Sequence, residues 1–319
     1  MRNAVSLHLY RLVDSLPRSR PKFGVGHGDL GSAPEATGVV FSKDRPMQLD
    51  ALLRSYKACV TGQVPLEVIY ACSSGEYQAA YGEVESAHGT EHVRFHQEVT
   101  HGTFRNALAS VMSNIETRTL FFLVDDILFI RPLDINAFAS LASTRAIPSM
   151  RLGRNITWSY TQGRSQDQPS LRRFTVDRGS DRTGQQHTAT DLWAWRWRSG
   201  SIDWAYPLSV DGNIFVTETI KDLVSSCTYS SPNTLEAALQ DSSARMRSAW
   251  GVCFDQSRIV NLPINRVQVD YENRHGSTHQ DSLLEKWVDG YCLDLSRTAN
   301  VETSSVHAEI ELALVKRGM

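Results

Sequence analysis

The residues here with the clearest chemical potential are Asp125-Asp126, which close the apolar run Leu120 to Val124. Two adjacent carboxylates at the end of an all-apolar strand are costly to bury unless something compensates them. A divalent cation does so, and oxygen ligands of this kind suit Mg²⁺ or Mn²⁺. Such an ion bridges diphosphate oxygens and stabilises a leaving nucleoside diphosphate. The competing reading is a pair of acids capping the next turn, paired with Arg131. Aspartate doublets also occur in hydrolases and phosphotransferases.

Two other segments have the composition of ligand loops. Phe41-Ser42-Lys43-Asp44-Arg45-Pro46 follows an apolar run and opens a helix. Helix N-termini favour anions, and Lys43 or Arg45 is within reach of a phosphate there. The segment is neither Gly-x-Gly-x-x-Gly nor a Walker A loop, which disfavours a dinucleotide or P-loop enzyme. Thr100 to Asn106 opens a second helix, with Arg105 and Asn106 near its start. Each segment also reads as an ordinary helix start carrying surface charge.

These residues need elements to position them. Val39 to Phe41, Leu66 to Ala71, Val93 to Phe95 and Leu120 to Val124 read as apolar strands. Leu49 to Tyr56 and Phe104 to Ile115 carry helical spacing. Continuous apolar strands alternating with amphipathic helices predict an α/β fold, a parallel sheet covered on both faces. Ligands in such sheets bind beyond the carboxyl ends of the strands, which selects the loops at Ser42 to Arg45, Cys72 to Gly75 and Asp125-Asp126.

The second half differs. Residues 151 to 190 read as a polar loop containing Arg151, Arg154, Arg164, Arg172, Arg173, Arg178 and Arg182. It suits either a solvated mobile loop or one closing over a phosphorylated or acidic acceptor. Trp193, Trp195 and Trp197 alternate as in a strand, giving core packing or a stacking platform for sugar. Pro232 starts a short helix, and Leu283, Leu284 and Trp287 mark a late helix stopping at Gly290.

Composition narrows the partners. The net charge of -2 over 319 residues provides no general field for nucleic acid. Of the 33 basic residues, 27 are Arg and six are Lys, from codon usage or from phosphate and carboxylate recognition. Five scattered cysteines, with no C-x-x-C, predict free thiols. No apolar run is long enough for a transmembrane helix and no signal peptide is evident. The expected location is the cytoplasm, or peripheral to a membrane.

Together the segments Val39 to Pro46, Arg105-Asn106 and Leu123-Val124-Asp125-Asp126-Ile127 resemble the nucleotide-sugar domain of GT-A-fold glycosyltransferases, of the bacterial family-2-like kind. The resemblance is good over residues 37 to 135 and looser beyond. It implies a GT-A-like, Rossmann-type, mostly parallel sheet. Residues 1–36 form a lead-in and 37–150 the nucleotide-sugar region. Residues 151–319 form an acceptor-binding region completing the same unit. Phe41, Ser42, Arg45 and Ser73 would contact the nucleoside, with Arg105 and Asn106 near the donor. Asp125 would approach the ribose or sugar, and Asp126 would bind the metal, Mn²⁺ or Mg²⁺, and the diphosphate. Ile127 departs from the family pattern, standing where a further acid is usual. In an inverting transferase a carboxylate serves as base. Asp211 and Glu236 are the candidates, Asp211 ahead because it stands beside Gly212. A C-terminal histidine often completes the metal site, and His275 or His279 is the local option.

The expected reaction moves a sugar from a nucleoside diphosphate, UDP by default, to an acceptor hydroxyl, as in surface polysaccharide synthesis. The rivals are a nucleotidyltransferase, which lacks the expected Gly-rich basic loop, and a metal hydrolase, which lacks a clear ligand set. A non-catalytic nucleotide- or sugar-binding protein is the third.

Overall fold

The computed structural model describes residues 35–62, 64–98, 104–176, 190–263, 280–309 and 313–318. The first half alternates strand and helix. β1 spans Ala36–Lys43, α1 Pro46–Cys59, β2 Leu66–Ala71, α2 Gly75–His88, β3 Val93–Gln97, α3 Phe104–Ser113 and β4 Thr119–Val124. Pro46 sits in the first turn of α1, where its missing N–H and fixed φ cost nothing. Ser74 caps α2 by accepting from the Tyr77 amide.

β1 pairs in parallel with β2 on one side and with β4 on the other, and β3 extends the sheet beyond β2. The second half contributes the last strand, β9 (Ile214–Val216), antiparallel to β4. The order is therefore β9-β4-β1-β2-β3. The chain advances outward from β1 to β3 and then returns to place β4 across β1. The order reverses between β1 and β4, the place at which open α/β sheets bind ligands beyond the strands' carboxyl ends.

Alternation along the strands feeds two cores. Val40, Phe121 and Leu123 point to one face, with Met47, Leu49, Leu52 and Tyr81 from α1 and α2. Val39, Phe41, Leu120 and Phe122 point to the other, with Phe104, Leu108 and Met112 of α3. Each such buried side chain contributes roughly 1.5–3 kcal/mol of transfer free energy. The expected α/β architecture, a mostly parallel sheet flanked by helices, is observed.

After β4 the chain forms β5 (Ile127–Phe129), the short α4 (Ile135–Ala139), β6 (Ala146–Gly153), β7 (Arg172–Val176) and β8 (Thr190–Arg196). Beyond β9 come α5 (Thr217–Ser226), α6 (Pro232–Asp241), β10 (Trp250–Phe254), β11 (Ile259–Asn261) and α7 (Gln280–Val288). A second sheet has the order β7-β8-β10-β6, its last pair parallel. β11 pairs antiparallel with β5, just beyond the aspartate doublet.

One expectation is corrected here, and one open alternative is decided. The 151–190 stretch contains β6's end and β7, with residues 177–189 outside the described part, so it is not one long loop. Trp195 and Trp197 are fully buried and pack edge to face at 4.8 Å, with Trp197 starting a 3₁₀ turn. They are core, and only Trp193 of the three is half-exposed. All five cysteines are unpaired thiols. Among the described residues no helix is long and apolar enough to cross a membrane.

Candidate active site

The aspartate doublet stands at the carboxyl end of β4 beside that of β1, and Arg45 holds the doublet together. One Arg45 nitrogen, Nη1, lies 3.0 Å from Asp125 Oδ1 and 3.1 Å from Asp126 Oδ2. Asp125 Oδ2 also accepts from the Ser42 hydroxyl at 2.8 Å and from the Lys43 amide at 3.3 Å. The buried Tyr81 hydroxyl, on α2, accepts from the Arg45 amide at 3.0 Å and donates to Ser42 Oγ at 2.5 Å. Asn261 on β11 donates to Asp126 Oδ1 at 2.9 Å, and the Leu262 amide donates to the Asp126 carbonyl at 2.7 Å. Asp44, at a positive φ of 52°, accepts from the Ser73 amide at 2.7 Å, which ties the β2 loop to the β1 loop.

A second cluster faces the first. Gly212, at φ +77°, donates its N–H to the Phe122 carbonyl of β4 at 2.8 Å, and a Cβ there would lie 2.3 Å from Ile259. This close approach brings Asp211 to the end of β4. Asp211 Oδ2 lies 4.0 Å from Arg151 Nη1 and 3.8 Å from His307 Nε2. Arg151, buried on β6, pairs with Asp203 at 2.9 Å and donates to Ser209 Oγ. Ser209 donates to Glu236 Oε1 at 2.9 Å, and the Val210 amide reaches the same oxygen at 3.0 Å.

The electrostatics follow from burial and from uneven charge. Burial pushes Asp126 up to about 7; Arg45 pulls it back, while Asp125 and Asp211 push it further. Burial raises Asp125 as well, against the pull of Arg45. Glu236 is pushed up to about 7 by burial and by Asp211, against Arg151. Burial raises Asp211 against Arg151. Burial and then the charge of Arg151, against Asp203, lower His307 to about 4, so the imidazole is neutral near pH 7. Five carboxylates (Asp125, Asp126, Asp203, Asp211 and Glu236) thus face two guanidiniums, Arg45 and Arg151. Fully ionised, these groups carry more negative charge than the two guanidiniums balance, a surplus that a bound cation would offset.

The structure brings Ser42, Arg45, Asp125 and Asp126 into contact, ties the Ser73 amide to Asp44 beside them, and sets Asp211 near Asp126, with Glu236 behind it on Ser209 and Val210. It does not bring in the others. Phe41 is buried between Phe104 and Phe122, at centroid distances of 5.1 and 5.5 Å, so its side chain is core. Arg105 lies over Tyr229 and reaches the Ser225 carbonyl, and Asn106 is exposed on α3. His275 and His279 lie outside the described residues. His307 is instead the histidine beside Asp211; its segment is clamped by the Asn261 amide to the Val306 carbonyl and the Ala308 amide to the Asn261 carbonyl. Sequence reading placed Arg151 in a polar loop rather than a strand, and missed Asn261 and Tyr81. An arginine inside the apolar strand Ala146–Gly153 was a usable signal for the first, while His307 carries none.

No family profile matches the chain, and no curated protein matches it. Several solved structures share part of its arrangement. One is the mannosyltransferase PcManGT from Pyrobaculum calidifontis in complex with GDP-Man and Mn²⁺, at 14% identity and a TM-score of 0.32, over 49% of this chain and 48% of that one. Another is S. aureus TarS, at 13% identity and 0.43, over 70% of this chain and 36% of that one. TarS 1-349 in complex with UDP-GlcNAc gives 12% and 0.41, over 78% and 61%. The chain thus spans about half of the mannosyltransferase and from about a third to three fifths of the two TarS structures. At such identities and TM-scores none of these likenesses assigns a function.

Proposed function

We propose that the chain is a glycosyltransferase that binds a nucleoside diphosphate sugar in the crevice between β1 and β4 and transfers the sugar to an acceptor hydroxyl. One observation carries this: the Arg45–Asp125–Asp126 constellation sits at the reversal of strand order, facing a second buried carboxylate, Asp211. Asp125, held by Ser42 and Arg45, is oriented to accept hydrogen bonds from a ribose or sugar hydroxyl. Ser42 and Ser73 line the same loops. UDP is the default nucleotide.

The donor set suits a divalent cation through its charge, although among the described residues no three His, Cys, Asp or Glu side chains converge on one point. Mg²⁺-type sites need only one or two carboxylates when substrate phosphates supply the remaining oxygens. Asp126 is the residue that would hold such an ion, and a bound Mg²⁺ or Mn²⁺ supplies charge neutralisation of the leaving diphosphate.

Asp211 takes the acceptor proton. A carboxylate whose pKa is raised by burial is a stronger base than one in water, and Arg151 favours its charged form. Glu236 has its Oε1 occupied by Ser209 and the Val210 amide, so it stands behind Asp211 rather than beside the acceptor.

A thermal-shift titration with UDP and GDP, with and without Mn²⁺, tests this on wild type and Asp126→Ala. A ligand at 100 times its Kd stabilises by about 2.7 kcal/mol, a shift of several degrees. The metal-dependent part is expected to vanish in Asp126→Ala. If neither nucleotide moves the wild-type Tm, the function proposed here is wrong.

A further inference from the structure

Arg151 divides its guanidinium unequally between two carboxylates. Its Nη2 pairs with Asp203 Oδ1 at 2.9 Å, while its Nη1 donates to Ser209 Oγ and stays 4.0 Å from Asp211 Oδ2. Its Nε is buried and, among the described residues, has no hydrogen-bond partner. The guanidinium thus has a donor to spare and still does not close on Asp211. Asp203, the nearer carboxylate, is what draws it away. Gln166 clamps Asp203 in turn: its Nε2 donates to Asp203 Oδ2 at 2.8 Å, and its Oε1 accepts from the Asp203 amide at 3.1 Å.

The turn that presents Asp203 is strained. Ile202, the residue before it, has a φ of 51°. A side chain branched at Cβ is disfavoured in that left-handed region and persists there only where its surroundings force it. Two indoles fix the turn: Trp195 Nε1 donates to the Trp204 carbonyl at 3.1 Å, and Trp204 Nε1 to the Ile156 carbonyl at 3.2 Å. A buried ion pair is a weak source of stability, because desolvation of both charges offsets their attraction. Stability therefore explains neither the strain nor the pair. What they achieve together is the placing of Arg151.

We infer that Asp203 is a positioning residue for the transfer reaction: by claiming Arg151 it keeps the guanidinium off Asp211 and leaves that carboxylate free to take the acceptor proton. The inference rests on the glycosyltransferase function proposed above. Without the Asp203 charge the guanidinium would close on Asp211, and a carboxylate in a close ion pair is a weaker base. The other groups that face Asp211 are His307, Asp126, Glu236 and Tyr206. Burial raises the pKa of Asp211; Arg151 opposes the rise, and Asp203 adds to it to a lesser degree.

The test follows Asp211 itself, by carbon NMR of the metal-free protein labelled at its aspartate carboxyls, with Asp211→Asn to assign the signal. In Asp203→Asn the titration midpoint of Asp211 is expected to fall by about one pH unit. The acid limb of donor consumption, read with a panel of UDP-sugars, should move down with it, while the UDP-induced Tm shift stays. Adding Arg151→Gln to Asp203→Asn should then lift the midpoint above wild type, because the cation responsible has gone. A loosened, wetter turn would also lower the midpoint, but the second substitution would not reverse it. Asp203→Asn should remain folded, since both indole bonds persist and Arg151 gains Asp211. An unchanged or raised midpoint, a fall that Arg151→Gln does not reverse, an acid limb that does not follow the midpoint, or a chain that fails to fold would each overturn the inference. A UDP shift with an unchanged midpoint defeats this inference alone. Midpoints that move as expected without any nucleotide shift defeat the transferase function and leave only the charge arrangement.

Discussion

At the scale of single residues, the site divides its carboxylates by what they touch. Asp125 is held by Ser42 and Lys43 through Oδ2 and by Arg45 through Oδ1, Asp126 is shared between Arg45 and Asn261, and among the described residues Asp211 is met at 3.8–4.0 Å by His307 and Arg151. The least constrained of the three is the one free to take a proton. Asp211→Asn should therefore lower turnover by about 10²–10⁴-fold while the nucleotide-induced Tm shift stays, as measured by donor-consumption kinetics beside thermal shift. Glu236 makes a different prediction. Its folded pKa of about 7 stands above its ordinary 4.5, so the folded state binds the proton more tightly than the unfolded chain. Stability then falls as pH rises from about 4.5 to 7, and the cost persists above. Each pKa unit corresponds to about 1.4 kcal/mol, so roughly 3 kcal/mol is the ceiling. Glu236→Gln keeps an Oε1 for Ser209 and Val210 but removes the charge. Its Tm should exceed wild type more at pH 8 than at pH 5; a pH-independent difference would refute the assignment.

At the scale of elements, β1 is the central strand, and one glycine allows its neighbours to close on it. A Cβ on Gly38 would lie 2.5 Å from a Leu66 methyl and 2.6 Å from the Phe121 ring. Gly38→Ala is thus expected to cost about 1–3 kcal/mol by overpacking, seen as a lower urea midpoint. The same strand carries Ser42 to the crevice, so the UDP-induced shift should shrink as well. A midpoint equal to wild type would mean that β2 and β4 adjust without strain. α2 shows why sequence reading lost an element here. Tyr77, Ala80, Tyr81 and Val84 are buried at helical spacing, but alanine and tyrosine mark an apolar stripe weakly, and Gly82 interrupts it. With α2 went Tyr81, the hydroxyl that fixes Ser42 and Arg45.

At the scale of the whole molecule, the two halves are not separable cores. One cluster joins Val40 and Leu123 to Leu192, Ile214, Val252, Phe254 and Ile259, and the other joins Phe41 and Phe122 to Trp195, Phe215 and Leu235. β9 supplies the edge of the main sheet from residue 214 onward. A fragment ending at residue 150 is accordingly expected to lack a cooperative urea transition by circular dichroism, whereas the full chain unfolds in one step. A cooperative fragment would instead mark 37–150 as an independent domain.

The sequence by itself determined the strand–helix alternation, the parallel sheet and the placing of Asp125-Asp126 at a strand end. These depend on local periodicity and on the rule that parallel strands are covered on both faces. It also brought Ser42, Arg45 and Ser73 into view, since they lie in loops at the carboxyl ends of their strands. Tertiary structure alone decided the rest. Phe41 and Arg105 had the right neighbours in sequence, yet the pleat turned one into the core, and the other stacks on Tyr229 instead of facing the crevice. Asp211, Arg151 and His307 lie 60 or more residues apart, and only the approach of Gly212 to β4 and of residues 306–308 to β11 joins them. Contacts between distant segments leave no periodic trace, so the partner that compensates the aspartate doublet, Arg45 and not Arg131, was visible only once β1 and β4 lay side by side.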